Sequence, residues 1–345
     1  MPKNSSKGQI EELNWIRGVS ALLIVLYHYT TQYHATIGHL ANWPFIVPWG
    51  CGAVNVFFLL TGFLTIYALK MDSSPIQFVW KRAKRLYPAY WICIVITSIV
   101  MGLFLPENLR DIKTILINLT MLQNFVGVTN VDGVYWTLSF ELIFYFYVAV
   151  LLLIKTRSLK LIRNIAFVWI GISYIYLVLE TIGVSNIAMN TVRLVLIPYF
   201  CAPFAGGILL AVVAKNRKRD YFSYGGVLAS IVLSFLLQEL SYAVLYGIVA
   251  VMLFVVVEKR FVTMDSAYSS KIEKGSNVLR PLAFVASISY PLYLLHQFIG
   301  FAIIVHLERA GLTNELMIFI PIILLLALAW VVQLGVDKLM HIGKR

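Results

Sequence analysis

The chain has 345 residues, 60% of them hydrophobic and 13% charged, against roughly 45–50% and 25% in soluble domains. This excludes a water-soluble fold, and about ten helices of about 20 residues would leave room for little beyond short loops. The formal charge of +12 comes from basic residues scattered in short gaps between apolar runs, which excludes a nucleic-acid-binding module. Cys51, Cys93 and Cys201 are odd in number and lack metal-ligand spacing, so neither a disulfide framework nor a bound metal is expected.

Runs long enough to cross a hydrocarbon core of about 30 Å lie at 15–33, 54–70, 86–105, 135–154, 164–183, 193–214, 222–238, 241–257, 284–306 and 315–336. They predict an all-α polytopic membrane protein with about ten spans in a single domain, 1–345. The first run is too long for a signal peptide, carries Arg17 and His28, and lacks a small-residue cleavage site, so it is expected to be retained. The stretch 112–125 is short and interrupted by Asn118 and Gln123, which predicts an interfacial or re-entrant segment. Only Gln238, Glu239 and Leu240 separate the seventh and eighth runs. Of the 28 Lys and Arg, 23 fall in the N-terminus or after even-numbered runs, so the positive-inside rule places both termini in the cytoplasm. Most of these cations are expected to face anionic lipid at the inner surface of the cell membrane.

An ionisable residue within a bilayer costs at least about 2.5–3.5 kcal/mol, so each one needs a partner or a function. Arg17 and His28 stand 11 residues apart, three helical turns plus about 20°, which puts them on one face about 16 Å apart. Glu141 on the fourth run and His296 on the ninth are the other intramembrane candidates. If their helices adjoin the first, a carboxylate beside His28 would orient the ring and raise its basicity for work on a hydroxyl. Arg82 and Arg85 are three residues apart, so in a helix their two guanidinium forks would share a side and suit phosphate oxygens.

These residues sit in segments that resemble the membrane acyltransferase family 3. LNWIRGVSALLIVLYHY (13–29) has that family's Arg, ten intervening residues, then His. GAVNVFFLLTGFL (52–64), KRAKRLYPAYW (81–91), YWTLSFELIFY (135–145) and ISYPLYLLH (288–296) resemble four further family segments, in order. The sequence departs from the usual pattern at Asn55, where an acid is common, at Thr61, where Ser is usual, and at Leu142, where a second acid often follows the first.

The resemblance implies an integral membrane O-acyltransferase, most often an O-acetyltransferase. Its donor would be cytoplasmic acyl-CoA, typically acetyl-CoA. Its acceptor would be a hydroxyl of a carbohydrate, lipid-linked glycan or other envelope component. By analogy His28 is the essential histidine and Glu141 a catalytic partner, while Arg17, Arg82 and Arg85 would hold the coenzyme. Asn55, Trp136, Ser139, Tyr290 and His296 are expected to line the site, with Tyr290, Ser139 and Arg17 as candidate oxyanion donors. The chain stops shortly after the tenth run, so no fused extracytoplasmic esterase domain is expected. Trp43, Trp49, Asn124, Asn130 and Tyr135 suit either sugar recognition or a membrane interface. A polysaccharide or solute exporter is the alternative. It is disfavoured because no paired repeats with Gly/Pro-broken helices recur in corresponding places.

Overall fold

A computed structural model describes residues 11–40, 45–154, 158–184, 187–264 and 280–342. The described residues contain no strand. The helices are α1 (Glu11–Tyr27), α2 (Tyr33–Thr36), α3 (Ala53–Ala68), α4 (Pro75–Phe104), α5 (Ile112–Asn118), α6 (Trp136–Leu153) and α7 (Leu159–Thr181). They continue with α8 (Ile187–Leu196), α9 (Pro198–Asn216), α10 (Tyr221–Leu237), α11 (Leu240–Met264), α12 (Arg280–Ser287), α13 (Ser289–Arg309) and α14 (Leu316–Ile342). Eight described helical segments are long and apolar enough to cross a membrane, which makes this a multi-pass all-α membrane protein. The sequence count was about ten. The seventh run forms α10, which at 17 residues falls just short, and the first forms α1, a π-helical turn (His28–Gln32) and α2. Lys3, Lys7, Trp43 and most of the 259–280 loop lie outside the described residues.

Two helix groups make up the bundle. In one, α9 packs against α3, α7, α10 and α11; in the other, α13 packs against α1, α4 and α14. The sequence of α9 explains its central place, because Ala205, Gly206, Gly207 and Ala211 present almost no side chain and allow neighbouring backbones to approach. A Cβ on Gly207 would lie 2.1 Å from the Leu59 carbonyl oxygen on α3. Helix α4 begins at Pro75, where the missing N–H costs nothing, and continues unbroken through 81–85. The basic cluster is therefore helical, and Arg82 and Arg85 are one turn apart on it.

Between α5 and α6 the chain forms a partly buried, largely non-helical knot. Each unsatisfied backbone group there would cost several kcal/mol, and side chains supply the partners. Asn118 donates to Thr114 O and Thr129 O and accepts from Val131 N. Tyr90 and Trp91 of α4 donate to the carbonyls of Asn118 and Leu119. Asp132 accepts from Val134 N and, at 3.1 Å, from Phe298 N on α13. Phe298 is nine residues into α13, about 14 Å along its axis. Helix α6 thus starts level with the middle of α13 rather than with its far end.

Candidate active site

Two cavities meet between α1, α3, α6 and α13. We call the end of the bundle carrying Arg17, Arg82 and Arg85 the basic end and the opposite one the far end. The basic cavity, about 830 Å³, is lined by those three arginines with Glu141, Tyr145 and Tyr290. The far cavity, about 700 Å³, is lined by His28, Tyr27, Gln32, Trp136, Tyr242 and Gln297. Val54 and Tyr293 line both and form the common wall.

In the basic cavity the Arg17 guanidinium donates to Ser289 Oγ at 3.2 Å, joining α1 to the start of α13. Arg82 lies 4.9 Å from the Tyr145 ring centre and 5.3 Å from that of Phe78, contacts that hold the cation, which forms no ion pair among the described residues. Arg17, Arg85 and Tyr290 also line an adjoining cavity of about 770 Å³ formed with α12 and α14. Three cations at this mouth and one carboxylate, Glu141, give it a net positive charge. Glu141 accepts a hydrogen bond from Tyr145 on its own helix.

The far cavity is organised by two histidines. His28 is the first residue of the π-helical turn, a local widening that often marks functional positions. Its ring meets that of His296 edge to face, with centres 4.7 Å apart. His296 Nδ1 lies 2.7 Å from the Tyr293 carbonyl, which only accepts, so Nδ1 carries the proton and Nε2 is bare. That bare nitrogen sits 3.1 Å from His28 Nδ1, which is also 2.8 Å from the Ile24 carbonyl. Two acceptors around Nδ1 place the proton of neutral His28 there and leave its Nε2 with a free lone pair. Tyr29 braces the arrangement by donating to the His296 carbonyl at 2.9 Å and lying flush on Gly300, where a Cβ would come within 2.3 Å of the ring.

The structure does not bring Glu141 to His28. The carboxylate occupies the basic cavity because α6 starts deep, and His296 is the group that touches His28. Trp136 lines the far cavity, and Tyr290 lines the basic one while donating to the Leu86 carbonyl at 3.2 Å. Ser139 lines neither: buried on the first turn of α6 against the knot, it donates to Met121 O and accepts from Asn124. Asn55 also stands outside both cavities, donating to Gln238 Oε1 at 2.6 Å and to the Tyr242 carbonyl at 3.3 Å. Asn124 and Asn130, both partly exposed, bond to each other within the knot, Tyr135 is fully buried there, and none of the three lines either cavity; Trp49 is half exposed. Sequence reasoning missed Tyr293, Gln297 and Thr137, whose Oγ1 lies 2.8 Å from the Tyr293 hydroxyl. Tyr293 stands one turn before His296, and that spacing alone could have singled it out.

Parts of the chain are similar to known proteins. Nodulation protein 10 of Rhizobium leguminosarum bv. viciae is 26% identical over 176 residues, covering 45% of this chain and 48% of that protein. The exopolysaccharide production protein ExoZ of Rhizobium meliloti (strain 1021) is 29% identical over 105 residues, 28% of this chain and 32% of the relative. The chain thus spans less than half the length of each of these relatives. No solved structure matches it. The model of one family, described as an acyltransferase domain and known as acyltransferase 3, matches residues 10–335, and the chain belongs to that family.

Proposed function

We propose that the protein is a transmembrane O-acyltransferase that takes an acetyl group from acetyl-CoA at the basic, cytoplasmic mouth and delivers it to a carbohydrate hydroxyl reaching the far cavity from outside a cell membrane. The observation that carries this reading is the pair of abutting cavities, one rimmed by Arg17, Arg82 and Arg85 and the other holding a histidine whose neighbours free its Nε2. Guanidinium forks suit the phosphates of a coenzyme A thioester, and the pantetheine arm separates those phosphates from the thioester carbonyl. Arg17 and His28 are likewise separated by about three turns of α1, about 16 Å.

In this reading His28 Nε2 accepts the proton of the acceptor hydroxyl as its oxygen attacks the thioester carbonyl. The carbon–sulfur bond breaks, the proton passes from His28 to the departing thiolate, and an ester and free coenzyme A result. Glu141 acts within the donor cavity, balancing the arginines and accepting from Tyr145, without touching His28. Bringing the hydroxyl and thioester together in a dry cavity adds an orientation effect that bulk water cannot supply. The name of one relative, an exopolysaccharide production protein, favours a saccharide acceptor. Purified His28→Ala protein in nanodiscs should lose transfer of labelled acetyl from acetyl-CoA to envelope glycan by at least about 100-fold. Wild-type rates in that variant would overturn the assignment.

A further inference from the structure

Another cavity opens at the far end, outside the two that form the reaction site. It is an open cleft between the α8–α9 break, the end of α10 and the start of α11. Tyr242 lines both this cavity and the one holding His28, and the Phe200 ring in its wall stands 5.3 Å from the ring of Trp136 in the neighbouring cavity. The two spaces are therefore adjacent, with aromatic side chains along their boundary.

Its lining combines flat rings with groups that can grip hydroxyls. Phe140, Phe200 and Tyr242 supply the rings, and Gln238 and Glu239 supply amide and carboxylate groups. Arg193 lies with its guanidinium carbon 5.3 Å from the Tyr199 ring centre and forms no ion pair among the described residues, although Glu239 lines the same cavity. In the sequence Arg193 is one of only four basic residues in the loops expected on the side of the membrane opposite the cytoplasm. Arg193 and Glu239 are both solvent-exposed, so a guanidinium fork and a carboxylate are open there to the oxygens and hydroxyls of a ligand. The surrounding wall is firmly built. Gln238, which accepts from Asn55 and from Ser234 at 2.7 Å, also donates to the Tyr199 carbonyl, and Tyr199 donates to Glu180.

We infer that this cavity is the acceptor subsite. It holds the saccharide unit next to the one being acylated, with rings stacking on the sugar face and Arg193 and Glu239 hydrogen-bonding its hydroxyls. The inference rests on the O-acyltransferase reading and assigns that reaction its acceptor-specifying residues. It predicts that acceptor recognition depends on residues of α8–α11, away from the arginines that meet the donor. A sugar of this kind could arrive on a free polysaccharide or on a lipid carrier, and both present the same ring to the cavity.

The test measures binding without turnover. Envelope glycan from cells lacking the protein is divided into an aqueous, polysaccharide fraction and an organic-extractable, lipid-linked fraction. Each is titrated against full-length His28→Ala protein in nanodiscs. One fraction should bind, and adding Arg193→Ala or Glu239→Gln should raise its Kd at least about tenfold, while the Kd for acetyl-CoA moves less than about twofold and so reports an intact fold. The fraction that binds identifies the carrier. Binding of neither fraction, an unchanged Kd in both variants, or a parallel loss of acetyl-CoA affinity would overturn the subsite. Failure of the underlying reading looks different: wild-type protein would bind the glycan, lose affinity in both variants, and still transfer no acetyl from acetyl-CoA.

Discussion

At the scale of single residues, the decisive feature is the direction of one proton. His296 Nε2 and the Ile24 carbonyl both face His28 Nδ1, so the ring presents Nε2 as a base only while that pattern holds. An oriented hydrogen bond worth about 1–1.5 kcal/mol corresponds to about tenfold in rate. His296→Phe should therefore lower kcat for transfer about tenfold and alter its pH profile, with His296→Gln, whose carbonyl can accept the same proton, recovering most of the loss. An unaltered pH profile in His296→Phe would mean that His296 only fills space. The pairing itself was not legible in the sequence. Arg17 and His28 fall on one face by helical arithmetic, but which group meets His28 depends on the depth of α6. The non-helical knot sets that depth, through Asp132 and its bond to Phe298 N.

At the scale of elements, α1 and α13 are positioned by contact at atomic distance. Gly300 leaves no room for a methyl group beside Tyr29, and Tyr29 bonds to the carbonyl of His296 and adjoins His28 in the π-helical turn. Gly300→Ala must push the ring away. Overpacking of this kind costs about 1–3 kcal/mol, so the variant should unfold at lower temperature in detergent and lose transfer activity together. Wild-type activity in a fully folded Gly300→Ala protein would show that the brace is dispensable. The hydrophobic runs located most helices well, because apolar length is what a bilayer demands. They placed the start of α4 about eleven residues late, since Lys81, Arg82, Lys84 and Arg85 interrupt the hydropathy without interrupting the helix. The α8–α9 break was hidden for the opposite reason. Residues 193–214 read as one apolar run, yet Ile197 adopts a left-handed conformation immediately before Pro198. Thr137, Gln297 and the Arg193 cavity become neighbours of the site only once the two helix groups pack.

For the whole molecule, the two ends differ in charge, with Arg17, Arg82 and Arg85 at one and the His28 cavity at the other. The basic end should govern donor affinity. Arg82→Gln/Arg85→Gln protein should show a KM for acetyl-CoA raised at least about tenfold, with weaker dependence on added salt than the wild type, because part of the screened attraction has been removed. A KM unchanged by the double substitution would place the coenzyme elsewhere.

Transfer across the membrane is tested in sealed proteoliposomes in which labelled acetyl-CoA is confined to one side and the glycan acceptor to the other, with protein orientation determined by protease access to the 215–219 loop. Transfer to the glycan should occur when acetyl-CoA is on the side of that loop and should stop when the two compartments are exchanged. Transfer only when donor and acceptor share a compartment would contradict the account.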